Sequence, residues 1–153
     1  MNLKISQVLL EELHFGHNGE FLAKEPTPFA APHPVAIEVG LIKGDDVANI
    51  AVRLQVKSDD EGTQYSFRAS YLILFQIEGE PPTDLEKRIA FTGATMLMPF
   101  LRELIGTITQ RARFGACWLP PANFSEMAKP SDGQPVRRVR AKKAVRRTKA
   151  SRS

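Results

Sequence analysis

Alternating apolar and polar residues predict two neighbouring β-strands in the first half of the chain. The clearest apolar set is Ile50, Val52, Leu54 and Val56, with Ala51, Arg53, Gln55 and Lys57 between its members. A period of two is typical of a strand with one buried face. The same alternation occurs earlier, at Val35, Ile37, Val39 and Leu41. The stretch from Gly44 to Asp46 between the two sets predicts a hairpin turn.

A longer strand is predicted from Thr63 to Ile77, after a turn at residues 59–62. One of its faces is apolar throughout and carries Tyr65, Phe67, Ala69, Tyr71, Ile73, Phe75 and Ile77. The opposite face begins polar but then presents Leu72 and Leu74. A strand that is apolar on both faces must be covered on both. We therefore expect a second subunit to cover it, through sheets packed face to face across a symmetric interface.

Residues 3–15 are a further strand candidate, and a long connection separates them from the second strand. This connection contains four prolines and the aromatic residues Phe21 and Phe29. Such dense proline prevents both a helix and a central strand. The phenylalanines argue against disorder, so we expect a functional crossover loop.

Helical periodicity begins after Pro81 and Pro82. Thr83 and Glu86 have the spacing of a capping box, in which both side chains bond free N–H groups at a helix start. Gly93 is expected to interrupt this helix. Apolar residues then recur at helical spacing from Met96 onward: Leu97, Phe100, Leu101, Leu104, Ile105 and Ile108. Pro99 should kink the second helix or lie in its first turn.

The sequence also predicts where the helical region ends. Arg111 and Arg113 are expected in its last turn, where the helix dipole favours cations, and Gly115 is expected as the stop. Residues 119–124 then predict a turn before a short final helix. Beyond Lys129, proline and glycine break regular structure, which divides the chain into a domain at 1–129 and a disordered tail at 130–153.

The charge of the chain is divided in the same way. The net charge is +4, but residues 136–153 hold nine Lys or Arg and no acid. Residues 1–135 then carry 12 basic and 17 acidic residues, a net of −5. The sequence pI of about 9.4 describes neither part, and a uniformly basic nucleic-acid-binding domain is excluded.

The basic tail has two interpretations. It is an electrostatic arm for RNA, DNA or anionic lipid, which would give salt-dependent binding without sequence preference. Alternatively it is a solubilising extension with no specific partner, since it has no aromatic residue for base stacking. The candidate anion contacts are Arg137, Arg138, Arg140, Lys142, Lys143, Arg146 and Arg147.

Few residues have the chemistry of a catalytic or metal-binding site, so we expect that the protein is not an enzyme and binds no metal or cofactor. His14, His17 and His33 lack partnered Cys or carboxylate ligands at zinc-binding spacing. Cys117 lies between Ala116 and Trp118, a setting typical of a buried or interfacial thiol.

The chain's class is predicted from other absences. A single cysteine excludes an intrachain disulfide. The N-terminal stretch does not resemble a signal peptide, and no apolar run approaches a spanning length. We therefore expect a soluble, cytoplasmic protein without membrane insertion.

One segment resembles a known family. The sequence from Met96 to Ile105, then Phe114, then Leu119-Pro-Pro-Ala-Asn-Phe124, is similar to the C-terminal signature of the SecB protein-export chaperones. Val52–Val56 resembles that family's strand with an arginine between aliphatic residues. The resemblance covers roughly residues 3–127 and is strongest over 96–124.

The resemblance implies an α+β fold: a four-stranded antiparallel sheet with a long crossover loop, and helices packed on one side. It also implies a homotetramer built as a dimer of dimers. The implied function is that of an ATP-independent holdase, which binds unfolded or precursor proteins for Sec-dependent export and passes them to the SecA motor. Candidate client-binding residues, chosen by chemistry and position, are Phe21, Phe29, Leu72, Leu74, Phe100 and Trp118.

Two features depart from the family members that serve SecA. Glu12 falls where an acid that docks the motor is expected, but Arg68 stands where the family has a glutamate. The tail also has the opposite sign to the family's acidic or polar tail. Two alternatives follow: a SecB-like chaperone dedicated to the antitoxin of a toxin–antitoxin system, and a nucleic-acid or ribosome-associated adaptor that acts through its basic tail.

Overall fold

The computed structural model of the chain describes residues 1–19, 35–45, 48–58 and 63–125, together with the backbone of 139–140. Its strands are β1 (Asn2–His17), β2 (Ala36–Lys43), β3 (Asn49–Ser58) and β4 (Tyr65–Glu78), and its helix is α1 (Leu85–Gln110). A two-residue strand, β5 (Val139–Arg140), adds to the edge of β2. The predicted α+β fold with four main antiparallel strands is confirmed.

The order of strands in the sheet is β1-β4-β3-β2-β5. The alternating sets at 35–41 and 50–56 form the predicted hairpin, because β2 and β3 pair from Ala36–Lys57 to Lys43–Ile50. β1 pairs with β4 and lies at one edge of the sheet, while β2 lies beyond β3. β4 and β3 thus separate β1 from β2 in the sheet. Residues 20–34 of the connection between β1 and β2, with Phe21, Phe29 and His33, lie outside the described residues.

The core forms between one face of the sheet and α1. The predicted apolar face of β4 is buried there, with Tyr65, Ala69 and Ile73 fully inaccessible to solvent. Val52, Leu54 and Val56 contribute from β3. We call this side the helix face of the sheet and the opposite side the open face.

The prediction of two helices separated at Gly93 is wrong, because α1 runs without interruption through Gly93 and Pro99. Gly93 is buried against β3, where an added Cβ would lie 2.7 Å from the Cβ of Val52. Its missing side chain thus allows the helix to approach the sheet closely, which offsets the conformational cost of glycine in a helix. Pro99 lies in the helix interior and not in a first turn.

The predicted ends of the helix are also corrected. The N-cap is Asp84, without a side-chain cap, so the Thr83–Glu86 capping box does not form. The Asp84 carboxylate instead accepts a hydrogen bond from Arg88 Nε at 2.8 Å. At the other end, the last turn contains no basic residue, since the helix ends at Gln110 and Arg111 is already the C-cap. Gly115 follows with a φ of +81° and redirects the chain after the helix has ended.

By length and composition α1 would also suit a membrane span, with a mean hydropathy of 1.2 over its best 18 residues. Half of that window is buried inside the protein, which is the packing of a core helix. The predicted final helix after residue 124, the domain boundary at 129/130 and the side chains of the basic tail lie outside the described residues.

Candidate functional site

The structure divides the predicted client-binding residues between two surfaces. Leu72 and Leu74 lie on the open face, half-buried. Phe100 and Trp118 lie on the other side of the sheet, with α1, and are 44% and 55% exposed. The described residues of the set therefore do not form one groove, and their role in client binding stays a prediction.

Phe100 belongs to an exposed apolar patch where α1 packs against β4. Its ring centroid lies 5.7 Å from that of Tyr71. Tyr71 is the cross-strand partner of Leu10, whose side chain is exposed on the same face. Leu13 on β1 and Met96, one helical turn before Phe100, are also exposed. We call these five residues the helix-side patch.

Sequence reasoning missed Leu10 and Leu13 because β1 is irregular. The strand has register shifts between Ile5 and Gln7 and again between Leu10 and Glu12. Each shift inserts one extra residue and restarts the alternation. As a result, the helix face receives Leu3, Ile5, Val8, Leu10, Leu13, Phe15 and His17. The signal in the sequence was that the alternation of apolar residues in β1 breaks twice.

Trp118 rests directly on the backbone of α1. An added Cβ at Gly106 would lie 2.3 Å from Cζ3 of the Trp118 ring, so only glycine permits this contact. The residues on either side, Cys117 and Leu119, are both buried. The N–H of Cys117 donates to Thr109 Oγ1 at 2.7 Å. The indole is thus fixed by its neighbours while more than half of its surface stays in solvent.

Tyr65 attaches this C-terminal segment to the sheet. Its hydroxyl donates to the carbonyl of Gly115 at 2.8 Å and accepts a hydrogen bond from the Phe114 N–H at 2.9 Å. Its ring packs with those of Phe15, His17 and Phe114. Burial raises the pKa of Tyr65, so the hydroxyl remains a donor at neutral pH. The segment that carries Trp118 is therefore held at both ends.

The open face carries a strip of apolar residues beside an ion pair. Leu9 is opposite Leu72, and Ala51 is opposite Leu74. Glu11, which sits in the second irregularity of β1, accepts hydrogen bonds from Arg53 Nε at 2.7 Å and from Ser70 Oγ at 3.0 Å. A second bond runs from Arg53 Nη2 to the other carboxylate oxygen.

The same contact sets the ionisation of both partners. The hydrogen bond from Arg53 is the main reason that the pKa of Glu11 is lowered, against the opposing effect of desolvation. Reciprocally, the pKa of Arg53 is raised, chiefly by Glu11. Arg53 of the same chain thus neutralises the negative charge of Glu11.

Glu12, the residue predicted to dock a motor, lies nearby on the open face. Its Oε1 is 3.2 Å from His14 Nε2 and 3.8 Å from Arg68 Nη1. Arg68, which stands where a glutamate was expected, is thus a direct neighbour of this acid. Neither Glu11 nor Glu12 presents an isolated negative charge on this surface.

Candidate reactive groups are not brought together. Cys117 is 2% exposed, and burial raises the pKa of its thiol to about 11, so it stays protonated at neutral pH. Among the described residues, no three His, Cys, Asp or Glu side chains converge as a metal site would require. His17 instead packs in the Tyr65 cluster and accepts a hydrogen bond from the Arg113 N–H at 3.3 Å.

A small antiparallel sheet backed by one long helix, with fixed apolar side chains left in solvent, is suited to holding other polypeptides. Comparison with known proteins specifies the family. The family model described as "SecB: Preprotein translocase subunit SecB" matches residues 19–132. Because the match covers well over half of the chain, the protein belongs to the SecB family.

Two curated relatives are both described as protein-export protein SecB. The relative from Bartonella bacilliformis is 28% identical over 82 residues, which is 53% of this chain and 52% of the relative. The relative from Bartonella quintana is 27% identical over 85 residues, or 55% of this chain and 54% of the relative. The matched region thus spans about half the length of either relative.

A solved structure supports the fold. It is the SecB-like chaperone of Mycobacterium tuberculosis in complex with a ChAD peptide from the HigA1 antitoxin. The alignment has a TM-score of 0.60 and 16% identity, and it covers 78% of this chain and 90% of that one. At this identity the likeness concerns the fold alone.

Proposed function

We propose that this protein is an ATP-independent chaperone that holds non-native polypeptides in the cytoplasm. Family membership supports the class. The observation that carries the proposal is the indole of Trp118, which α1 holds rigidly while it remains 55% exposed. A fixed aromatic ring loses little conformational freedom when it binds, so most of the gain from burial is retained.

Burial of apolar surface supplies the binding energy in this mechanism. An unfolded client offers apolar side chains, and each Å² removed from water contributes about 25 cal/mol. One ring therefore binds weakly. Several such sites on one assembly, joined by a long client, add avidity without any new kind of contact. No step of this cycle consumes a nucleotide.

Phe100 is the second proposed client contact among the described residues. Phe21 and Phe29, which lie outside the described residues, are proposed client contacts as well. The ring of Phe100 is supported by Tyr71 and is 44% exposed. Leu72 and Leu74 also stay proposed client contacts, although they lie on the opposite side of the sheet.

An aggregation assay tests this function. A chemically unfolded model client is diluted into buffer with the purified chain, without nucleotide, and light scattering is followed. Stoichiometric suppression is expected for the native chain and for Trp118→Phe, and weaker suppression for Trp118→Ser and Phe100→Ser. An absence of suppression at excess chaperone would contradict the proposal.

We also propose a homotetramer, whose contact begins at β1. This strand is the edge of the sheet, and Ile5, Leu9, Leu10 and Leu13 are exposed along it. A free strand edge with apolar side chains is a template for a second copy. Sedimentation should show a smaller mass for Leu13→Asp. If Leu74→Asp dissociates the assembly instead, the sheets pack through their open faces.

Two proposals assign the class of client. Sec-dependent export would require docking to SecA, with Glu12 as the candidate contact, whereas an antitoxin-dedicated chaperone would not. The engagement of Glu11 by Arg53 and of Glu12 by His14 and Arg68 favours the second. If the chaperone is dedicated to an antitoxin, a single antitoxin should co-purify with the chain. A mixture of secretory precursors would support export.

The basic tail supports one further candidate function, binding to nucleic acid or the ribosome. Nine Lys or Arg within residues 136–153 would give RNA affinity with a steep dependence on salt. This affinity should vanish when residues 136–153 are deleted. Unchanged RNA binding after the deletion would exclude the tail as the contact.

A further inference from the structure

A hydrogen bond to a histidine ties the segment after α1 to the end of β1. The backbone N–H of Arg113 donates to Nε2 of His17 at 3.3 Å. His17 is the last residue of β1, whereas residues 111–119 follow α1 and carry Trp118. We call residues 111–119 the C-terminal segment. The bond thus fixes the start of this segment on a distant part of the chain.

The acceptor in this bond exists only while the imidazole is neutral. A neutral imidazole carries a hydrogen on one ring nitrogen and accepts a hydrogen bond at the other. Because Nε2 of His17 accepts, the hydrogen lies on Nδ1. A proton added to Nε2 would face the Arg113 N–H, so that two donors would meet and the bond would be lost. An imidazole ordinarily changes charge between about pH 5 and 8.

Aromatic rings surround the imidazole on three sides. The ring centroids of Phe15, Tyr65 and Phe114 lie 5.7, 5.6 and 6.0 Å from that of His17. Aromatic rings stabilise a nearby cation. Protonation therefore removes the acceptor without expelling the imidazole from its cluster, and its effect is concentrated on the Arg113 N–H.

The other titratable groups near this bond keep their charge in the same pH range. Burial raises the pKa of Tyr65, and it raises the pKa of the Cys117 thiol to about 11, so both groups stay neutral. The guanidinium of Arg113 stays charged. Arg113 makes a further contact, but its bond to His17 runs through the backbone N–H. None of the ion pairs between described residues includes His17.

We propose that His17 is a pH-sensitive attachment point for the C-terminal segment. The neutral imidazole holds the Arg113 N–H and fixes the start of the segment on β1. The protonated imidazole releases it, while the Tyr65 hydroxyl still holds Phe114 and Gly115. The contribution of His17 is therefore present at high pH and is lost as the pH falls.

The attachment affects clients through Trp118, and this consequence rests on the proposed function. Trp118 lies five residues beyond Arg113, in the same segment. A segment with one attachment fewer holds the indole less firmly on Gly106, so more conformational freedom is lost when a client binds. Affinity for clients should thus fall in acid. The attachment itself depends on no client.

Nuclear magnetic resonance of the full native chain tests the attachment directly. The His17 ring signals and the protection factor of the Arg113 amide are followed from about pH 8 to about pH 5.5. The two should change with one midpoint. Protection of the Arg113 amide should fall by about fivefold or more, as expected for the loss of one hydrogen bond. The Phe114 amide, which Tyr65 holds, should lose less.

Substitutions at the three histidines identify the group responsible. His17→Gln supplies an amide oxygen that accepts the same bond but does not titrate, so the Arg113 amide should stay protected throughout. His17→Leu has no acceptor, and protection should be low throughout. His14→Gln, on the opposite face of β1, and His33→Gln are the controls. Both should keep the pH dependence of the native chain.

Removal of the second attachment should extend the effect toward Trp118. In Tyr65→Phe the hydroxyl bonds to Phe114 and Gly115 are absent. Acid should then also lower the protection of the Cys117 amide, which donates to Thr109 Oγ1 next to Trp118. The double variant Tyr65→Phe/His17→Gln should not show this loss.

Two results would overturn the inference: constant protection of the Arg113 amide while His17 titrates, or a pH dependence that persists in His17→Gln. A pH dependence that disappears in His14→Gln or His33→Gln would also overturn it, because another histidine would then be responsible. The titration of the native chain is decisive even where a variant fails to fold. A native chain that fails to suppress aggregation at pH 8 would contradict the chaperone function alone, since these readouts need no client.

Discussion

The two faces of the sheet use apolar residues for different purposes. On the helix face, β3 and β4 bury nearly every apolar side chain against α1, and Val52, Leu54 and Ile73 are fully inaccessible. On the open face, Leu72 and Leu74 remain half-buried beside Arg53 and Arg68. The first set holds the domain together, whereas the second stays partly accessible to solvent in the single chain. Single substitutions at matched positions can therefore test which residues contribute to the stability of the domain and which do not.

The largest difference is expected between the adjacent residues Ile73 and Leu72. Ile73→Ala should cost about 2–5 kcal/mol, because it leaves a cavity under α1. Leu72→Ala should cost about 1 kcal/mol or less, because its side chain is half-exposed. Urea unfolding of both variants measures the two costs. Equal costs would mean that the open face is covered in the assembly.

Two glycines provide the next comparison. Gly93→Ala should destabilise the domain by about 1–3 kcal/mol, since the new methyl group overlaps Val52 and forces the helix away from β3. Gly16→Ala, on β1, meets nothing within 4 Å and should change stability by less than about 0.5 kcal/mol. Thermal unfolding gives both values. If Gly93→Ala leaves the stability unchanged, the close approach of α1 to the sheet is contradicted.

Two tyrosines on β4 sharpen the role of the C-terminal segment. Tyr65→Phe removes both hydrogen bonds to residues 114 and 115 and should cost about 1–3 kcal/mol. Tyr71→Phe keeps the ring that supports Phe100 and should be nearly neutral. Hydrogen exchange of the Phe114 amide should accelerate in the first variant alone. Equal protection in both would place the anchor of the segment elsewhere.

The smallest effect concerns the ion pair on the open face. The pKa of Glu11 is lowered in the folded state, so its contribution is present above its ordinary value of 4.5 and is lost as the pH falls through the folded value. Both side chains are partly exposed, so the contribution is below about 1 kcal/mol after solvent screening. Glu11→Gln should be less stable than the native chain at pH 7, with the gap closing as the pH falls below 4.5 and through the lowered pKa of Glu11. A gap that persists in acid would have another cause.

The sequence predicted the regular parts of the fold and missed the places where a rule is broken locally. The hairpin of β2 and β3 and the buried face of β4 followed from strict alternation. At Gly93 the propensity of glycine predicted an interruption, but contact with Val52 outweighs it. β1 was recognised only in outline, since two inserted residues destroy its period.

The candidate site was less predictable than the fold. Phe100 and Trp118 were chosen by residue type, and both are exposed. That Leu72 and Leu74 face the other way follows from strand parity, but which face α1 covers depends on tertiary packing. The pairing of Glu11 with Arg53 depends on an irregularity in β1 and has no local signature.

The contact between Trp118 and Gly106 has a practical consequence. Trp118 is the single tryptophan of the chain, and its indole is fixed on a helix with its outer surface in water. Its intrinsic emission therefore reports on one known position, and a client that covers the ring should shift that emission to shorter wavelength. Tryptophan fluorescence can therefore measure client binding without a label, when the protein is titrated with clients that lack tryptophan.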